Sequence, residues 1–134
     1  MIVVDASVML KWVLPEPLSS EAAALRDMPL LAPDLCCIEC ANALWRQVRH
    51  DGLTLEEAER LLVILRGLGV ETVRSEALLP AALRLAVELG HPIYDCLYLS
   101  LALERGCDVM TADRRFHQAA GSTAYSRRVR LLGA

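Results

Sequence analysis

Short apolar runs alternate with longer segments of helical periodicity along most of the 134-residue chain. Ile2-Val3-Val4 is a β-branched run that stops at Asp5, the pattern of a short buried strand. Residues 6–14 and 18–27 read as helices, interrupted by Pro15 and Pro17. Leu30-Leu31-Ala32 reads as a second strand closed by Pro33-Asp34, with Asp34 predicted as the N-cap of a helix over 35–50 that ends near Gly52. Thr54 and Glu57 have capping-box spacing and open a helix to about Arg66. A third strand is predicted at Val70–Val73, then a helix from Ser75 to Leu89 stopped by Gly90. Pro92 suits the start of a helix over 93–105, ended by Gly106. Cys107–Met110, a short helix over 113–121 and Val129-Arg130-Leu131 complete the pattern. Strands of three or four apolar residues separated by helices predict a parallel sheet covered on both faces, a three-layer α/β/α domain. With no linker, repeat or low-complexity tract, residues 1–134 are expected to form one domain.

Two of the helices are unusual. Leu35 to Trp45 carries one charge in eleven residues, Glu39, and Ile93 to Leu103 also carries one, Asp95. Helices this apolar are expected to be buried, where an unpaired carboxylate costs several kcal/mol. No lysine or arginine lies one helical turn from either acid. Asp5 follows the first strand directly, and Asp113 follows the fourth by three residues. In a parallel α/β sheet, strand carboxyl ends and helix starts share one rim, so all four acids are predicted to converge there. Singly, each has a structural reading: a strand end, a helix-dipole partner, a cap, a distant ion pair. Together they point to a shared cation, and an oxygen-only set selects Mg²⁺ or Mn²⁺. Such a site suits hydrolysis of a phosphodiester.

Composition narrows the alternatives. The chain is 54% hydrophobic, yet no segment reaches the roughly 20 apolar residues of a membrane span, and its start lacks a secretory leader pattern. A cytoplasmic protein with a surplus of apolar surface is expected. The net charge of −3 argues against a nonspecific nucleic-acid coat; with four acids on a cation, 14 basic side chains face the 13 remaining acids. Cys36, Cys37, Cys40, Cys96 and Cys107 sit in apolar contexts, as buried thiols in a reducing compartment. The rival reading of Cys36, Cys37 and Cys40 as a zinc site lacks a fourth ligand at the usual spacing. The histidines, His50, His91 and His117, show no catalytic spacing. A phosphate-accepting receiver domain would need an aspartate ending the third strand, where Val73-Arg74 stands, and a lysine near the last strand; the sole lysine is Lys11.

Val4-Asp5-Ala6-Ser7, Glu39-Cys40-Ala41-Asn42, Tyr94-Asp95-Cys96 and Met110-Thr111-Ala112-Asp113-Arg114-Arg115-Phe116 occur in this order across essentially the whole chain. The set resembles the PIN-domain ribonucleases, and most closely the VapC-type toxins of toxin–antitoxin pairs. The resemblance implies strand order 3-2-1-4-5 and a metal held by Asp5, Glu39, Asp95 and Asp113. It gives Ser7 and Thr111 the role of hydroxyls that orient water or carboxylates, with an N-cap role also open to Ser7. Asn42, three residues past Glu39, would support that acid. It also implies an RNA substrate, a small antitoxin resting on the amino-terminal helices through Val8, Leu10, Trp12, Val13 and Leu14, and a homodimer. Lys11, Arg46, Arg114 and Arg115 are the candidate RNA contacts, with Arg49 and the Arg127, Arg128, Arg130 cluster behind them. The alternative is a PIN-like interaction domain without turnover.

Overall fold

In the computed structural model, which describes all 134 residues, five three- or four-residue strands form one parallel sheet in the order β3-β2-β1-β4-β5. The strands are β1 (Ile2–Val4), β2 (Leu30–Pro33), β3 (Glu71–Val73), β4 (Val109–Thr111) and β5 (Val129–Leu131). β1 is central, registering Val3 against Leu31 of β2 on one side and against Val109 of β4 on the other. Val3, Val4, Ala32 and Val109 are fully buried, which is why these strands read as unbroken apolar runs.

The helices are α1 (Ala6–Met9, continued as a 3₁₀ turn over Leu10–Trp12), α2 (Ser19–Ala24), α3 (Leu35–His50), α4 (Leu55–Arg66), α5 (Ser75–Leu89), α6 (Ile93–Arg105) and α7 (Arg114–Gly121). α1 and α3 pack together and reach β4 and β2, while α6 lies against β1, β2 and β4 with α5 behind it. The result is three layers, as expected. α6 is the most enclosed helix: Cys96 through Ala102 are all buried, so its apolar character on every side is a consequence of packing on both sheet and α5. Left-handed Gly90 and Gly106 terminate α5 and α6, and Thr54–Glu57 forms the capping box at α4.

Several boundaries differ from the sequence pattern. The helix expected over 6–14 has only one α turn before it tightens to 3₁₀, and the segment over 18–27 does the same after Ala24. β4 begins at Val109 and includes Thr111, so Asp113 follows it by two residues. The Asp34 side chain does not cap α3. Its carboxylate accepts from Ser75 N at 3.0 Å, and Ser75 Oγ accepts from Leu35 N at 3.0 Å, an exchange between two helix starts 40 residues apart in sequence. The apolar surplus also lies elsewhere than expected. Val8, Leu10 and Leu14 are core residues, whereas Ile38 and Trp45 on α3, Val63 and Ile64 on α4, and Leu83 and Val87 on α5 are exposed. No helix is long and apolar enough to cross a membrane.

Candidate metal centre

The parallel pairing of β1 with β4 sets the ends of both strands on the same rim, and the chain leaves each end through an acid-capped helix. Asp5 accepts the backbone N–H of Val8 and so caps α1; Asp113 accepts that of Arg115 at 2.8 Å and caps α7. Glu39 lies one turn into α3, and Asp95 is in the first turn of α6. All four line one cavity of about 230 Å³, together with Ser7, Leu10, Ala43 and Arg46. The convergence expected from element order is therefore present. A larger cavity of about 530 Å³ between α5 and α6 mixes Arg84 with Glu88, Glu104 and Tyr125, and gathers no comparable set of acids.

The strand-borne acids are fixed by a closed hydrogen-bond knot. Ser7 Oγ donates to Asp5 Oδ1 and Thr111 Oγ1 donates to Asp5 Oδ2. Ser7 Oγ in turn accepts from Ala112 N at 2.9 Å, and Thr111 Oγ1 accepts from Asp113 N at 3.0 Å. Each hydroxyl thus ties a carboxylate oxygen just past β1 to the backbone just beyond β4. Ser7 is not the cap of α1, a role taken by Asp5 itself. Asp5 is 4% exposed, and burial is the main reason its carboxyl is pushed up to about 7; its hydrogen bonds pull the other way, and the charge of Asp95 adds to the rise.

The helix-borne acids are held differently. Tyr98 Oη, with no exposed surface, donates to Glu39 Oε1 at 2.5 Å. His91 Nε2 and Asp95 Oδ2 share a hydrogen bond of 2.6 Å. Burial raises the carboxyls of both Glu39 and Asp95 above their ordinary values, and like charge raises them further, from Asp95 upon Glu39 and from Asp113 upon Asp95. Asp95 is thus electrostatically joined to each of the other three acids. No lysine or arginine forms an ion pair with any of the four. Arg46 stands at the rim without an acidic partner, while Lys11 is engaged by Glu16 at 3.3 Å.

Tyr98 and His91 were not singled out by sequence reasoning. His91 does stand at i,i+4 spacing to Asp95, a signal that was available. Asn42, by contrast, is exposed and hydrogen-bonds to nothing, so it gives Glu39 no support. Arg114 and Arg115 are exposed on α7 and lie outside the cavity wall. All five cysteines are free. Burial pushes the Cys40 thiol up to about 12 and Cys36 higher, as for small side chains enclosed in apolar surroundings.

The donors facing the cavity are carboxylate and hydroxyl oxygens, a set that fits a hard divalent cation. They form an open basin and not a finished cage: no three acidic, histidine or cysteine side chains stand at metal-holding spacing. Clustered, mutually repelling acids without lysine or arginine partners are costly to maintain, and a cation is the group that would relieve them.

Known proteins share this arrangement of chain. The PIN domain profile matches residues 2–122. Ribonuclease VapC3 of Pyrobaculum aerophilum is 33% identical over 120 residues, 85% of this chain and 90% of that protein. The crystal structure of PAE2754 from Pyrobaculum aerophilum superposes with a TM-score of 0.69 at 26% identity, over 88% of this chain and 78% of that one.

Proposed function

This chain belongs to the PIN-domain family, and on that premise we propose that it is a Mg²⁺- or Mn²⁺-dependent endoribonuclease, a single nuclease domain of residues 1–134 that serves as the toxin of a toxin–antitoxin pair in the cytoplasm. One observation carries the chemistry: four acids from four separate elements line a single cavity and none of them is paired with lysine or arginine. The relative's ribonuclease name supplies the substrate class.

Asp5, Glu39, Asp95 and Asp113 would hold the cation. When bound there, it supplies the positive charge that an attacking water and a phosphodiester both require. The protein's own part is to orient. The Ser7–Asp5–Thr111 knot fixes one carboxylate from both sides and keeps its oxygens from turning toward solvent. Arg46 at the rim is the basic group best placed to meet an incoming phosphate, and exposed Arg114 and Arg115 extend a basic path along α7. The small antitoxin and the dimer partner are proposed to cover exposed apolar helix surface, on α3 and α4 and not on the buried residues of α1.

Purified protein should cleave RNA when Mg²⁺ or Mn²⁺ is supplied, and chelator or Asp5→Asn should abolish cleavage. Unchanged cleavage by the Asp5→Asn protein would overturn the proposal. The open basin favours one alternative, an interaction domain without turnover, and a calorimetric titration with Mn²⁺ separates the two: the nuclease binds it, the silent domain does not.

A further inference from the structure

The turn between α5 and α6 carries a side chain to which the proposed chemistry gives no role. Gly90 closes α5 in the left-handed conformation and Pro92 caps α6, so His91 is confined between two conformationally fixed residues. Its backbone N–H donates to Ala86 O at 3.1 Å. The ring turns inward, with a side-chain exposure of 14%. One edge reaches Asp95: Nε2 stands 2.6 Å from Oδ2, and because an ionised carboxylate can only accept, this nitrogen carries the proton. The face of the ring lies on Phe116, with centroids 5.9 Å apart and planes inclined by 13°. Phe116 is fully buried in α7, three residues past the Asp113 that caps that helix. His91 therefore spans from the acid of α6 to the helix started by the acid of β4.

Position matters more for Asp95 than for the other acids. It feels the charge of Asp113, and its own charge is felt by Asp5 and Glu39. With a side-chain exposure of 22%, it has an open route to rotate away from those repulsions into water. Apart from His91, no group of the protein donates to its carboxylate, and Oδ1 is left without a partner.

We infer that His91 is a positioning residue: hydrogen-bonded to Oδ2 and braced against Phe116, it fixes the Asp95 carboxylate so that Oδ1 remains available to a cation in the cavity. This rests on the reading of the four acids as a metal centre.

Two substitutions separate the bond from the packing. His91→Phe keeps an aromatic ring against Phe116 and removes the donor; His91→Gln loses the ring and places an amide N–H near the position of Nε2. Mn²⁺ affinity, measured by calorimetry on variants with wild-type circular dichroism, should fall roughly 10- to 100-fold in His91→Phe and return to within about threefold in His91→Gln. Wild-type affinity in the phenylalanine variant, or equal loss in both, would overturn the role. A second arm needs no metal. The imidazole ¹H–¹⁵N spectrum of the wild-type protein should show a slowly exchanging Nε2 proton of His91 that disappears in Asp95→Ala, and its absence in the wild type would also overturn the role. Should the wild-type protein bind no Mn²⁺, the metal reading fails on its own, and the imidazole proton alone then decides whether His91 fixes Asp95.

Discussion

Asp5 and Asp113 sit just past strand ends, Glu39 and Asp95 sit near the starts of helices, and the two pairs are held by different means. The strand pair is bound into backbone: the hydroxyls of Ser7 and Thr111, the N–H of Val8 and the turn after β4 form a closed set in which every donor has an acceptor. The helix pair depends on two aromatic side chains, one bond each, reaching over from other turns of the fold. The strand half is therefore held by several interlocking bonds, two of them donated by backbone N–H groups. The helix half is adjustable, because one side-chain bond can be lost without unmaking a helix. The proposed cation would meet a fixed anchor on one side and, on the other, acids each held by a single side-chain bond.

The most severe way to test this contrast is to remove the charge from the anchor. Asp5→Asn should lower RNA cleavage on the order of 10³-fold or more, read as kcat on a fluorogenic RNA. The same protein without metal should melt no lower than wild type near pH 8, because a buried charge has been removed while the shape is kept. Glu39→Gln tests the adjustable half and should cost less, about 10²-fold in kcat.

The pH dependence of stability comes next in size. The Asp5 carboxyl titrates near 7 when folded and near 3.8 as an ordinary aspartate. The folded state thus holds the proton more tightly, so this group's contribution is full at low pH and is lost as pH rises from about 4 through 7. Thermal melts of metal-free protein should show that fall, a few kcal/mol in free energy across the window. Mn²⁺ should offset it at pH 8 and do little at pH 4, and Asp5→Asn should flatten the profile. A metal-free protein most stable at pH 8 would contradict the assignment.

Tyr98→Phe deletes one oxygen atom and leaves the packing of α6 intact. A roughly tenfold loss of Mn²⁺ affinity with a melting temperature within a few degrees of wild type is expected. If the loss is as great as for Glu39→Gln, the helix half is as rigid as the strand half and the contrast fails. Asn42→Ala should be the mildest change. The residue is exposed and unbonded, so stability should stay within about 0.5 kcal/mol and cleavage within experimental scatter.

The sequence alone determined the class of fold and the rim on which the acids meet. Unbroken apolar runs such as Ile2-Val3-Val4, separated by helices, are the pattern of a covered parallel sheet, and strand-then-helix order puts Asp5 and Asp113 at the same end. Lone charges within apolar stretches of helix likewise mark Glu39 and Asp95. Tertiary structure decided who holds those acids. Tyr98 and Glu39 lie 59 residues apart, Thr111 and Asp5 lie 106 apart, and nothing in local periodicity encodes which hydroxyl will face which carboxylate. It also overruled neighbours in sequence: Asn42 shares a helix with Glu39 but faces water, and Asp34 serves the start of α5 in place of its own helix. A hydrophobic pattern fixes which face of an element is buried, whereas hydrogen bonds between side chains depend on rotation and offset between elements, which are settled only when the core packs.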